Sequence, residues 1–578
     1  MLKALTKFPL FAWFGKVWKG LSEKFGGGKT GDHKSLTIKI VFGILAIGMA
    51  LTFNTAFQQY ADESQKLVEA GAEANLQDYP GMLPMAGKGV GAAMALIAFF
   101  VSLWIRESGR MVTRHRLLTI ALWVACLGGL LAWLPTDIIA TQSALAGKAL
   151  AGENSSIPAY VGKIVLIGFL IISPPIVVQM FFRLGLMDQY VVKAFLSPFT
   201  FCMMAFTSIW LIFDFTDNGP AFSGLPFSRL AEFYIVQFPY VILFVLPIVI
   251  LLSLLFALST MSKSNELISM ISAGRSVLRI LAPLLFIGVY TSVISLALKY
   301  DWAPRAVGLK EAILQNALSD QAAKHSNSPP PAKGLWSKSG WMHVNDFASR
   351  TWFVGLVPWE LSKPMGNVII WKRDAEGQPI TMWQAREASW NWESETSDWT
   401  LKNGRVWNYH KDKIPRPVPF DTLTLSDWNE TPWKVLSSSQ NPEFLGMPGL
   451  KMYLNANREM ADKDLASFRT NLWNIFAEPA TCFAMVLVAA PLGIVYSRKG
   501  VLGGVTAAVI IFALMYIMKG TTMALGQGNR ISPFMGAWVC NFIVAGIGIV
   551  LLWFRSRNRD VPKLSKVLLF LVTFGKVR

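Results

Sequence analysis

The residues best placed to do chemistry lie in one short run, KSNELISMISAGRSVLR, which carries Lys263, Glu266, Arg275 and Arg279 between two long apolar stretches. Isolated charges in such a setting suit recognition through charge-assisted pairs better than covalent chemistry. Leu267, Met270, Ile271 and Gly274 fall at i, i+3, i+4 and i+7, which predicts a short amphipathic helix. Glu266 has two readings: a contact offered to a partner, or a carboxylate favoured by the dipole of the helix it starts. Gly274 either lets a partner approach closely or ends the helix as a C-cap. A second set, Lys299, Arg305, Lys519 and Arg530, falls near span ends where basic residues run against the positive-inside tendency. Such groups either hold lipid phosphates or acidic sugars, or snorkel as ligand-free anchors. Glu478-Pro479 places a carboxylate beside a kink early in a span.

Other chemistries find no support. The five histidines show no HExxH spacing, and no Ser-His-Asp set or carboxylate pair emerges. Cys126, Cys202, Cys482 and Cys540 lie in apolar spans without CxxC spacing, so they read as small core residues. The expectation is therefore no catalytic, cofactor or metal residue. An enzyme of the outer leaflet would have to draw on Asp301, Glu311 and His325, whose spacing fits no mechanism. Gly26-Gly27-Gly28-Lys29-Thr30 imitates the end of a phosphate loop, but Glu23 stands where its first glycine belongs. It reads as a linker, and any ATP hydrolysis falls to another chain.

The elements that must position these groups are membrane spans. Hydrophobic residues make up 53% of the 578 and charged residues 16%, with mean hydropathy +0.40, too apolar for a soluble surface. The net charge of +18 sits in clusters before the first span and in alternate loops, among them Arg106–Arg116, Lys263–Arg279, Arg498-Lys499 and Arg555–Arg559. The positive-inside rule accounts for it without a nucleic-acid partner. The pattern predicts a polytopic α-helical membrane protein of about ten transmembrane helices with an inserted periplasmic all-β, jelly-roll-like domain. A basic interfacial segment (1–36) leads into four spans (37–182). Three spans joined by the short helix follow (183–300), with Asp301 and Trp302 as a water-facing boundary. A linker and the β domain fill 301–470, three spans occupy 471–555, and a tail ends the chain (556–578). Both termini are then cytoplasmic. Twelve tryptophans between Trp336 and Trp433 mark the β domain, with turns predicted at Asp374–Gly377 and, as a two-residue hairpin, at Asn403-Gly404.

Several motifs occur in a telling order: Met187-Asp188-Gln189-Tyr190; Pro247, then Ser264-Asn265-Glu266-Leu267 with Met270 and Gly274; Trp302-Ala303-Pro304; Ala388, Trp390 and Trp399–Gly404; Asn529, Pro533, Trp538 and Asn541. In these the stretch from about 183 to 559 resembles the lipopolysaccharide-export permeases LptF and LptG. The resemblance implies a permease subunit in a bacterial inner membrane, drawing lipopolysaccharide or a related lipid from the outer leaflet toward a periplasmic β-jelly-roll bridge. It implies an LptB-like ATPase dimer, a second LptF/LptG-type subunit, and LptC- and LptA-like proteins as partners. Lys263, Glu266, Leu267, Met270, Gly274 and Arg275 would then couple to the ATPase. Lys299, Arg305, Lys519 and Arg530 remain the candidates for lipid. Asp214, Asp217 and Asn218 depart from the family, which often carries lysines there to hold lipid phosphates, and the first four spans lie outside its pattern. The rival reading is a membrane enzyme or scaffold acting on lipid or glycan without an ATPase.

Overall fold

The computed structural model describes residues 31–69, 82–104, 111–150, 156–222, 227–326, 336–345, 348–358, 363–374, 376–390, 398–409, 415–426, 428, 430–436, 441–458, 461–494 and 501–557. The Gly26–Thr30 linker, the basic residues at 106–110 and 498–499 and the tail beyond 557 lie outside them. Among the described residues ten helices are long and apolar enough to cross a membrane. Two compact units divide the chain, 1–144 with 164–185, and 145–163 with 186–578.

The first unit holds α1 (Gly31–Glu69), α2 (Met82–Trp104), most of α3 (Met111–Leu150) and the larger part of α4 (Ile157–Arg183). Its core is small: Phe42, Ala98, Ala121 and Ala125 are buried together. Glycines replace bulk where α2 and α3 meet. A Cβ at Gly91 would stand 2.7 Å from Ala132 Cβ, and one at Gly87 2.7 Å from the Leu131 carbonyl. Close backbone approach of this kind is how helices associate in lipid, where burial of apolar area gives no drive.

The second unit is built from α5 (Leu186–Phe222), α6 (Phe227–Lys263), α7 (Glu266–Ser272) and α8 (Val277–Ala297). A π-turn (Leu298–Trp302) then leads into α9 (Ala303–Ser326). After the β domain come α10 (Pro432–Leu436), α11 (Met447–Ala456), α12 (Asp462–Gly493), α13 (Val501–Gln527) and α14 (Pro533–Ser556). The most enclosed of the spans is α12; α5 and α13 are among the most exposed. Leu254, Leu255, Leu258, Leu281, Leu284, Met485, Val486 and Ala489 form the centre of the core. Small residues again set the approach, with a Cβ at Gly288 falling 2.8 Å from Val486 and one at Gly548 2.7 Å from Leu487. Asn541 of α14 accepts from Thr481 at 3.1 Å and donates to the Ala477 carbonyl, which satisfies polar groups inside the bundle. Cys482 and Cys540 are buried and free, as core residues. The boundary expected at Asp301 is not there. The helix runs on through the π-turn, and Asp301 is buried because other elements pack over it.

The inserted all-β domain is a six-stranded antiparallel sheet with strands in chain order: β1 (Trp336–Asn345), β2 (Arg350–Pro358), β3 (Met365–Arg373), β4 (Pro379–Trp390), β5 (Trp399–Asn408) and β6 (Pro417–Leu425). That order is a meander. One face is closed by the segment around α10, where Trp352, Val368, Ile370, Trp399, Leu401, Trp428 and Val435 are buried together. Glu430 fastens this cover. Both its oxygens accept from Arg350, at 2.7 and 2.6 Å, and its carbonyl accepts from Trp399 at 2.7 Å. Burial also pushes the His343 imidazole below its ordinary value of 6.5, against the pull of Glu430. The Asp374–Gly377 turn forms as predicted, with Gly377 at φ +82°. The Asn403-Gly404 hairpin does not, because both residues lie inside β5. Asn403 takes a left-handed φ of 52°, and Gly404 is there for space, since a Cβ would run into the Gln384 carbonyl and the Phe420 ring.

Candidate functional site

The predicted short helix exists as α7, seven residues held between two backbone reversals. Asn265, at φ 59°, turns the chain out of α6. Gly274, at φ +85°, ends α7 in a Schellman motif, with Gly274 N–H donating to the Ile271 carbonyl at 2.9 Å and Arg275 N–H to that of Met270 at 3.3 Å. The C-cap reading of Gly274 therefore holds. Nothing lies within 4 Å of a Cβ built there, so the glycine also faces open space. Ser276 then caps α8, its hydroxyl accepting from the Arg279 N–H at 3.3 Å.

This elbow has an inner and an outer side. Leu267 and Met270 point inward and join the main core. Lys263, Ile268, Ser269, Ser272, Gly274 and Arg279 are exposed. Between them, two contacts tie the elbow to the start of α5. Tyr190 donates its hydroxyl to Glu266 Oε2 at 2.7 Å, and Arg275 Nη1 donates to Asp188 Oδ1 at 2.9 Å. Of the six predicted coupling residues, two thus anchor the elbow and two pin it at the rim, while Lys263 and Gly274 stay on its open surface. In the sequence Asp188 and Tyr190 stand only as part of a motif, and their one signal is polarity in the first turn of α5 ahead of its long apolar stretch.

At the far end of α8 the second predicted set divides. Lys299 Nζ lies 2.7 Å from Glu478 Oε2, and Lys519 Nζ 3.8 Å from Glu478 Oε1, so two cations from different helices share one carboxylate. Asn474 adds a hydrogen bond to Glu478 at 3.3 Å. Arg305 is elsewhere, 3.1 Å from Asp301. Arg530 is exposed just past α13, where Asn529 at φ 55° closes another Schellman turn. Asp214 meets Lys310 of α9 at 2.7 Å, so a cation does stand near that position, supplied by another helix. Tyr240, Phe244 and Tyr516 form an aromatic row between α6 and α13, with ring centroids 6.5 and 6.0 Å apart in turn.

Comparison with known proteins agrees with this layout. The Lipopolysaccharide export system permease LptF/LptG family model matches residues 189–554, from the start of α5 to the end of α14. The chain is 23% identical over 403 residues to Lipopolysaccharide export system permease protein LptG of Haemophilus influenzae, covering 65% of this chain and 99% of that protein. Helices α1 to α4 precede the family match. A matched region with three spans, an inserted β domain and three further spans makes this chain a member of the LptF/LptG family of lipopolysaccharide export permeases, carrying an additional helical region at its N-terminal side.

Proposed function

We propose that the chain is the permease subunit of an ABC-type exporter that takes lipopolysaccharide, or a related lipid, from the outer leaflet of the inner membrane. ATP hydrolysis occurs on a separate LptB-like dimer, and a second LptF/LptG-type subunit completes the transporter. Both termini and the elbow face the cytoplasm, and the β domain hands lipid to LptC- and LptA-like proteins in the periplasm. The elbow supports this reading most directly. Its inner side is packed rigidly into the bundle, whereas its outer side is exposed and made of small and charged residues around Gly274. A force applied at α7 therefore passes into α6 and α8 without first bending a loop. The exposed flanks of α5 and α13 leave surface for the second subunit and for lipid. Lys299 and Lys519, facing Glu478, offer a net positive site for an anionic headgroup.

The test is co-purification with the ATPase, followed by lipid release from reconstituted vesicles. Glu266→Lys breaks the Tyr190 contact and reverses the charge at the rim. Gly274→Val puts a branched side chain at positive φ on the open face. Both should remove ATPase association while the bundle stays folded. Retained association and unchanged release in both variants would show that α7 is not the coupling element.

A further inference from the structure

The π-turn Leu298–Trp302 is held from several sides, and one of these sides lies outside the family region. Residues 157–163, the first turns of α4, belong to the same compact unit as the permease helices, although the rest of α4 belongs to the other. Lys163 sits in this stretch. Its Nζ is 3.8 Å from Asp301 Oδ2, and both side chains are 3% exposed. Two residues of the π-turn reach α4, because Tyr300 also donates its hydroxyl to the Ala159 carbonyl at 3.0 Å. Gly162 makes room: a Cβ there would fall 2.6 Å from the Tyr300 hydroxyl. From another side Gly446 presses on the same turn, where a Cβ would be 2.8 Å from the Tyr300 carbonyl and 2.9 Å from Asp301 Oδ1.

The neighbouring residue is Lys299, which meets Glu478 at 2.7 Å. A π-turn carries one residue more per turn than an α-helix, so it can aim successive side chains in directions a regular helix does not offer. Here it directs Tyr300 and Asp301 to α4 and Lys299 to α12. A buried ion pair is poor evidence for stability but holds a register well, since separating its members leaves an uncompensated charge in an apolar setting.

We propose that the first turns of α4, which precede the family region, act as a brace for the permease: Lys163, through Asp301 and Tyr300, positions the π-turn and thereby holds Lys299 on Glu478. Lys163 is a positioning residue in this scheme and touches no cargo.

The experiment is amine labelling of the full-length protein in nanodiscs, with modification of each lysine read by mass spectrometry. Lys163→Met should raise labelling of Lys299 about tenfold, equivalent to about 1.4 kcal/mol of lost positioning, and leave Lys519 near its wild-type level. Lys163→Arg should keep Lys299 protected. Tyr300→Phe removes a single hydroxyl and tests the brace even where Lys163→Met does not fold. It should raise Lys299 labelling about fivefold, the effect of one hydrogen bond worth roughly 1 kcal/mol. Lys299 labelling unchanged in the folded variants would overturn the proposal, as would an equal rise at Lys519, which would report general loosening. The measurement needs neither ATPase nor transported cargo, so its outcome is independent of whether the transport reading survives.

Discussion

The two ends of α8 hold charge in opposite ways. At the elbow end, Arg275 pairs with Asp188 and Glu266 with Tyr190 at an accessible rim, and the Arg275 side chain is 33% exposed. At the π-turn end, Lys163 and Asp301 are enclosed, Lys299 and Lys519 are partly buried around Glu478, and Asp301 is shared between Lys163 and Arg305. Water at the first end screens each pair and can replace it, so the pairs there cost little to exchange for a partner's groups. At the second end the enclosed Lys163–Asp301 pair is shielded from water, so separating it leaves charge in an apolar setting and the pair fixes geometry. One end is suited to being taken hold of, and the other to staying in place.

The sharpest break in that contrast comes from Glu478→Ala. Leaving Lys299 and Lys519 without their shared carboxylate should lower stability by about 3–5 kcal/mol, read from denaturant unfolding in detergent, with ATPase association intact in the fraction that folds. A loss below about 1 kcal/mol would mean that water already reaches this end and would erase the difference. Leu267→Ala comes next. It opens a cavity beneath α7 and should cost about 3 kcal/mol, weakening ATPase association as the elbow loses its seat. Arg275→Ala and Tyr190→Phe should each cost less than about 1 kcal/mol, yet reduce ATPase association in pull-downs more than Glu478→Ala does. If they cost as much stability as Glu478→Ala, the elbow is a structural corner and not a docking element. The smallest effect tests a region outside the comparison. His343 in the β domain has its folded-state pKa held below 6.5 by burial, so the unfolded chain binds the proton more readily. Acidification through that range should destabilise wild type slightly, stability returning as pH rises again, whereas His343→Gln should lack this slope in pH-dependent thermal melts.

The spans, the insertion of the β domain and the elbow helix were legible in the sequence because each rests on a local pattern: apolar length, tryptophan-rich strands, or the spacing of Leu267, Met270 and Ile271. The same local reading mistook Asn403-Gly404 for a hairpin. A left-handed asparagine followed by glycine serves a turn, but equally a strand whose neighbours, here Gln384 and Phe420, leave no room for a side chain. Pairings across the fold were out of reach. Nothing near Lys299 or Lys519 in the chain points to Glu478 as their common partner, and nothing near Lys163 points to Asp301. Asp301 itself read as a water-facing boundary because a charged residue normally ends an apolar run. The approach of α4 and Gly446 reverses that expectation. The inward side of α7 was visible as periodicity, but its hold on Asp188 and Tyr190 depends on where α5 begins in space.

The single-turn insertion at Leu298–Trp302 also has an angular meaning. One residue of an α-helix corresponds to about 100° of rotation about its axis, so deleting a residue here would swing α9, and the sheet it leads into, by roughly that angle relative to the bundle. The compass heading of the β domain is therefore encoded in one surplus amino acid. A lineage could turn the sheet by losing that residue, without rebuilding either the membrane bundle or the sheet.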